Sequence, residues 1–374
     1  MTLHDAVALA LYGTPRRRLL GALVRTWLQR PWPEVDDLPA REPGEPLLVW
    51  ACRCGAEPDP VAEAASLEDR AQRTLADATR RGQTAIALGS ADYPAPLREI
   101  PDPPPVLWIR GATEMLRWPR MVALVGARAA TPGGLTIAAH LAAGLAEAGV
   151  VVVSGLARGI DSAAHRAALE RGGASVGVLG SSLDRLYPPE HRDLAEALTR
   201  QGAVISEHVP GTPPLAYHFP LRNRIISGLS AAVVVVEAAA KSGSLITAMA
   251  AAEQGRDVMA VPGPVGPGRH RGGHALLRDG ARLVEGPDDI LAELGWLAAG
   301  VVPNRAAHTS LDLALARELG LDPTVEDFSA DDVAAATNWP MARVNARLGA
   351  LEIEGRIERS GAGRLRGVRN RVLT

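Results

Sequence analysis

Lysine is almost absent from this chain. Lys and Arg together number 40, and Lys241 is the sole lysine, so 40 − 1 = 39 of them are arginine. One ammonium kept against that bias marks its own loop for inspection. Cysteine is nearly as scarce. Cys52 and Cys54 cannot build a disulfide framework and lack the further Cys or His that a zinc site needs, so they read as reduced structural thiols. No uncharged apolar run approaches the length that spans a bilayer. Asp5 precedes the first short apolar stretch and the arginines follow it, the reverse of a secretory signal. A cytoplasmic protein without a membrane partner is expected. A strong net charge is missing too: the formal value of −2 neither favours nor excludes a polyanionic partner. Local charge favours one, because the tail from Arg356 to Arg371 carries six arginines against Glu358.

What is present is ample apolar material. With 374 residues and 47% hydrophobic content, the chain can form two or three domains with a sizeable core, and it is not a disordered protein. Residues up to about Gln83 read as helical, interrupted by the proline-rich stretch from Arg30 to Pro46. Within them LALYGTPRRRLLGALV reads as two helical patterns around a Gly-Thr-Pro turn. Such a unit can touch a DNA backbone or simply pack, with a solvated Arg16 to Arg18 face. After Pro101 to Pro105, VLWIRG reads as a strand.

From Met121 to about Leu294 the apolar runs MVALVG, VVVVSG, SVGVLG, AVISE, AAVVVVEA, DVMAVPG and ARLVEG alternate with amphipathic segments. Runs without polar alternation mark strands buried on both faces, which predicts a doubly wound, mostly parallel α/β sheet. In that architecture ligands bind beyond the carboxyl ends of the strands. A third zone begins near Pro303. Two helices with a short turn, a strand, a Gly-rich tip and another strand give the layout of a winged helix. Ser329 is its expected N-cap and Pro340 its helix-opening proline. Arg343 and Arg347 lie four apart on one face of the second helix, which suits either DNA or a docked protein.

The strand-end loops carry the chemistry. VGARAATPGG places Arg128 and the Gly133–Gly134 pair at a helix start, without the G-x-G-x-x-G dinucleotide fingerprint. In SGLARGIDSAAH, Asp161 is expected to cap a helix and pair with Arg158. His165 lies one turn later on the same face, in a structural role, and the Gly155 and Gly159 amides are left to a ligand. In FPLRNRIISGL, Arg222 and Arg224 suit bidentate phosphate contact and Phe219 offers a face to a base. Bracing of acidic side chains in the sheet is the competing role for both arginines. KSGSLITA sets Lys241, Ser242, Gly243, Ser244 and Thr247 at another helix N-terminus, a place where amides face an anion. The spacing is not that of a P-loop, and no acidic pair for magnesium stands nearby, so phosphate contact without phosphoryl transfer is expected.

In this order, VGAR, SGLARGIDSAAH, LDRLYP, ISE, FPLRNRIISGLS, SGSLITA and AVPG resemble the DNA processing protein A family, also called DprA or Smf, over roughly Ala91 to Leu294. The resemblance implies a homodimeric, non-enzymatic protein that binds and protects single-stranded DNA and helps load the RecA recombinase in natural transformation. It further implies a helical sterile-alpha-motif-like domain over 1–85, an extended Rossmann-like DNA-binding domain over 91–298 and a winged-helix domain over 305–374. Carried onto this chain, the DNA-contacting set is Arg128, Gly155, Arg158, Phe219, Arg222, Arg224, Lys241, Ser242, Gly243 and Ser244. No catalytic residue, metal or cofactor is implied. The chain departs from the family pattern at Ala127, at Ser182 and at His191, which stands where an asparagine is usual. The alternative is a nucleotide-processing, phosphoribohydrolase-like Rossmann enzyme. Those enzymes resemble a PGGxGTxxE pattern, whereas here Thr247 and Ala248 occupy the turn and Glu253 lies too far along.

Overall fold

A computed structural model describes residues 3–4, 6–7, 60–266, 268–297, 318–319, 321, 328–353, 357–359 and 364–367. The expected helix-hairpin LALYGTPRRRLLGALV, both cysteines, most of the expected helix LDLALARELG, the Gly-rich tip and the last arginines of the tail lie outside them. So does most of the expected 1–85 domain. The chain divides into two compact units, Met1–Trp296 and Leu297–Thr374.

The first unit is built on a nine-stranded sheet. Its elements run α1 (Pro60–Arg80), β1 (Thr84–Ala87), α2 (Ala95–Arg98), β2 (Val106–Gly111), β3 (Met121–Val125), α3 (Pro132–Glu147), β4 (Val151–Ser154), α4 (Ile160–Glu170) and β5 (Ser175–Val178). They continue α5 (Arg192–Gln201), β6 (Ala203–Ser206), α6 (His218–Leu229), β7 (Ala232–Val235), α7 (Ser244–Glu253), β8 (Asp257–Ala260), α8 (Arg271–Arg278), β9 (Arg282–Leu283) and α9 (Pro287–Glu293). Strand order is β1-β2-β6-β5-β4-β3-β7-β8-β9. Every expected apolar run became a strand. β3 to β9 pair in parallel, while β1 and β2 join antiparallel at the β6 edge. β1 was not anticipated: its four residues follow a long helical pattern and one cap of loop, too short a run to show a period of its own.

Burial explains the lack of alternation. Ala123, Val125, Val153, Val176, Ile205, Val233 and Val235 join Ile225, Ile226 and Leu229 of α6 and Ala248 and Ala251 of α7 in one core. Successive strand residues point to opposite faces. The interleaved Val122, Leu124, Val152 and Val234 are fully buried as well, on the side where α4 meets β3 and β4. Both faces are therefore covered.

The topology also fixes where a ligand fits. β3 has β4 on one side and β7 on the other, so the connections leaving β3 and β7 diverge and open a crevice at the carboxyl ends of those two strands. The loops after β3 and β7 are VGARAA and EAAAKSG.

The second unit holds α10 (Ala330–Thr337), α11 (Met341–Ile353), β10 (Ile357–Arg359) and β11 (Leu365–Gly367), with β10 and β11 antiparallel. Ser329 caps α10 as expected: its hydroxyl accepts from the Asp332 amide at 3.2 Å, and Asp332 accepts the Ser329 amide at 2.7 Å in return. Asn338 closes the helix in the left-handed region at φ 56°. Phe328, Val333, Val344, Leu348, Leu351, Ile357 and Leu365 form its core with Leu319. The two arginines of α11 are engaged differently. Arg343 lies over the Trp339 ring at 4.2 Å, and Arg347 pairs with Glu318.

Candidate nucleic-acid interface

A pocket of about 560 Å³ opens at the crevice between the β3 and β7 loops. Its cations are Arg128, Lys241 and Arg269, all exposed, with the buried Arg222 beneath them. Among the described residues neither Arg128 nor Lys241 has a carboxylate partner. Arg269 donates to the Ala129 carbonyl at 2.9 Å. Ser242, Gly243, Ser244 and Thr247 line the opposite wall at the start of α7. Ser242 and Ser244 share a 2.8 Å hydroxyl–hydroxyl bond. Exposed guanidinium and ammonium groups facing a helix N-terminus are a phosphate-binding arrangement.

The two arginines of FPLRNR sit differently from Arg128. Arg222 is 4% exposed. Its Nη1 donates to the Gly155 carbonyl at 2.7 Å and to the Val178 carbonyl, and its Nε donates to Asn223 Oδ1 at 3.2 Å. Asn223 Nδ2 in turn donates to the Gly243 carbonyl at 3.3 Å. Arg222 and Asn223 together thus join the ends of β4 and β5 to the KSGS loop. Burial lowers its pKa to about 10, opposed by the Asp161 carboxylate, so it remains charged at neutral pH. Arg224 lies outside the pocket. Its guanidinium holds Glu207 through 2.9 and 2.7 Å bonds and Asp102 at 3.1 Å. Although burial opposes the charge, Glu207 more than offsets it and raises the Arg224 pKa. Bracing of acidic side chains is what the structure gives Arg224, whereas Arg222 braces backbone carbonyls and Asn223.

The SGLARG loop departs from expectation at three points: Asp161 does not cap α4, whose N-cap is Gly159, the Gly155 amide is taken, and Arg158 pairs elsewhere. Asp161 accepts the Gly155 amide at 3.0 Å and the Ala157 amide at 3.4 Å, so the Gly155 N–H is occupied rather than presented to a ligand. Gly155 is glycine for another reason: a Cβ there would meet the Arg222 guanidinium at 2.5 Å. Arg158 pairs with Glu190, not with Asp161, because Asp161 turns inward onto the amides while Arg158 points to solvent. Burial raises the Asp161 carboxyl pKa, against Arg222 and the two amides that lower it.

His165 plays the structural part expected of it. The Ser175 hydroxyl donates to the Val152 carbonyl at 2.7 Å, so His165 Nδ1 must be the donor in its own 2.7 Å bond to Ser175 Oγ. The remaining lone pair on Nε2 is buried without a partner, and burial lowers the ring's pKa to about 3.

Phe219 is half-buried. Gly180 leaves it room on one side, where a Cβ would come within 2.9 Å of its ring, and the Arg128 guanidinium lies 5.5 Å over its centroid. Tyr187 is its aromatic neighbour, with centroids 5.5 Å apart and planes tilted 59°. Two of the sequence departures have visible roles. Ser182 bonds the Thr212 carbonyl through both its hydroxyl, at 2.9 Å, and its amide. His191 Nδ1 donates to the Leu156 carbonyl at 2.9 Å, holding a residue whose φ is 54°.

Arg269 and Glu237 were not anticipated. Arg269 stands in GRHRGG, just past AVPG, where an arginine after a strand end was the available signal. Glu237, read as the end of a strand, is 2% exposed. It accepts the Thr131 amide at 3.1 Å and the Thr131 hydroxyl at 2.6 Å, while that hydroxyl caps α3 by accepting from Gly134 N at 3.0 Å. Its carboxylate is thus held beside a helix N-terminus, where the dipole favours it. Among the described residues, no three His, Cys, Asp or Glu side chains converge as a metal site, and no helix is long and apolar enough to cross a membrane.

Comparison with known proteins gives a consistent result. Residues 84–295 match the family model of the DNA recombination-mediator protein A, and residues 300–363 match that of the DprA winged helix domain. The chain is 46% identical over 201 residues to the DNA processing protein DprA of Streptococcus pneumoniae, covering 54% of this chain and 71% of the relative. It is 42% identical over 287 residues to protein Smf of Escherichia coli, covering 75% and 76%. The crystal structure of the Streptococcus pneumoniae protein superposes with a TM-score of 0.66 at 35% identity, covering 78% of this chain and 98% of that one. The Helicobacter pylori DNA processing protein A, described for its unique single-stranded DNA binding mode, superposes with a TM-score of 0.52 at 28% identity, covering 57% and 95%. This chain belongs to the DNA recombination-mediator protein A family, the DprA/Smf proteins.

Proposed function

We propose that this protein binds single-stranded DNA without processing it chemically, and that the crevice between the β3 and β7 loops holds the strand's phosphates. The observation that carries this reading is the convergence of Arg128, Lys241 and Arg269, cations on three separate loops, on one helix N-terminus. Arg128, Lys241, Ser242, Gly243 and Ser244 make the direct contacts, with Arg269 added to them. Phe219 holds the Arg128 guanidinium in place. Gly155 and Arg222 shape the floor, Arg224 fixes α6 against the sheet, and Arg158 meets the strand farther along the rim. Affinity then falls with salt at a log–log slope near −0.7 per phosphate neutralised, with little sequence preference.

The wider role follows the family resemblance: a cytoplasmic homodimer that shields incoming DNA and hands it to the RecA recombinase during natural transformation. Its 91–298 Rossmann-like domain does the binding, and the 305–374 winged helix serves a second contact. A mobility-shift titration of Arg128→Ala and Lys241→Ala against oligothymidylate at physiological salt tests the binding reading. Weakened binding with an unchanged melting temperature supports it, and unchanged affinity in both variants sinks it.

A further inference from the structure

The Arg128–Phe219 stack does not end the row of groups along this rim. Tyr187, 38% exposed, stands beside that stack, its ring centroid 5.5 Å from that of Phe219 and its plane tilted by 59°. Its hydroxyl faces Arg158, whose guanidinium is paired with Glu190. Phe219 itself has little face to give a base, because Gly180 lies against it on one side and Arg128 covers it on another. Tyr187 therefore offers the more accessible ring, and it sits between two cations.

Resting on the single-stranded DNA reading above, we propose that the strand leaves the pocket along this row, stacking a base on Tyr187 and placing its next phosphate on Arg158 by displacing Glu190. Glu190 is a built-in stand-in for that phosphate. Its carboxylate accepts from Arg158 Nε, and the pair is exposed on both sides, 55% for Arg158 and 46% for Glu190. An exposed pair of this kind is weak and readily exchanged. A phosphate offers the same guanidinium more acceptor oxygens and a base that stacks beside it. No covalent change is involved.

Two substitutions are expected to act in opposite directions, which distinguishes the path from general damage. Tyr187→Ala should weaken binding of a long oligothymidylate about tenfold, the effect of losing one stacked base. It should leave binding of an abasic oligomer of the same length unchanged, and Tyr187→Phe should restore the thymidylate affinity. Glu190→Gln should tighten long oligothymidylate, because the phosphate no longer has a carboxylate to displace, and Arg158→Ala should make its log–log salt slope shallower by about 0.7, one phosphate fewer engaged. Neither substitution should matter for a dinucleotide too short to reach Arg158, and the double variant Glu190→Gln with Arg158→Ala should lose the gain. Equal losses for thymidylate and abasic oligomers in Tyr187→Ala, an unchanged affinity in Glu190→Gln, or an unchanged slope in Arg158→Ala overturns the path even while Arg128→Ala still weakens binding. Failure of the unmodified protein to bind any oligothymidylate overturns the path together with the reading beneath it.

Discussion

Arg222 and Arg128 face the same pocket and do opposite work. Arg222 is 4% exposed and engages two backbone carbonyls and Asn223, whereas Arg128 is exposed with an aromatic ring as its neighbour and, among the described residues, no carboxylate partner. A buried guanidinium with every hydrogen bond directed at the protein sets the shape of the site. An exposed one with its edge free is available to a ligand. Arginine content around a pocket thus says little until each side chain is placed.

The largest effect expected from breaking this contrast is on stability. Arg222→Ala leaves the Gly155 and Val178 carbonyls without their donor and Asp161 without its nearby charge, and should lower the unfolding free energy by about 3–5 kcal/mol in a urea titration. Arg222→Lys should recover little, since one ammonium cannot reach the same three acceptors in a plane. Arg224→Ala strips Glu207 of its partner in a pair whose side chains are each 16% exposed, and about 3 kcal/mol is expected by the same measurement.

Acid should expose the buried side as well. The His165 pKa falls to about 3 in the folded state against roughly 6.5 for an unfolded chain, so the unfolded state binds more protons between those values. The stability contributed by neutral His165 is present above about pH 6.5 and is lost as pH falls from there toward 3, at up to about 1.4 kcal/mol per pH unit. A series of melting curves from neutral pH down to mild acid should show the decline, and His165→Gln should flatten it. The smallest effect belongs to the exposed side: Arg128→Ala should reduce oligothymidylate affinity about tenfold, or about 1.4 kcal/mol, while leaving the melting curve where it was. A fall in melting temperature there would erase the distinction between the two arginines.

The sheet was legible because a strand covered on both faces has no polar position to interrupt it; MVALV and AVVV announce themselves. β1 was not, since TAIA contributes four residues at an antiparallel edge and is specified by its pairing with β2 rather than by its own pattern. In the site, Arg128 and Lys241 were readable from their places just past apolar runs. Arg269 was not, because it comes to the pocket from the loop after β8, and the meeting of three loops is a property of topology. The sequence could raise bracing for Arg222 and Arg224, but partners 17 to 122 positions away in the chain decide it. The same holds for the Gly155 amide, which a local reading leaves open to solvent and the fold turns onto Asp161.

Gly155 has a practical consequence for anyone mapping this surface by mutation. With the Arg222 guanidinium 2.5 Å from where a Cβ would stand, even alanine must push the arginine off the carbonyls of two strands, and Asn223 would release Gly243 with it. A screen scored on lost DNA retention should rank this glycine among the foremost hits through the displaced Arg222 alone, with no contact of its own required. Pairing each hit with a measure of folded protein would separate relays of this kind from true points of touch.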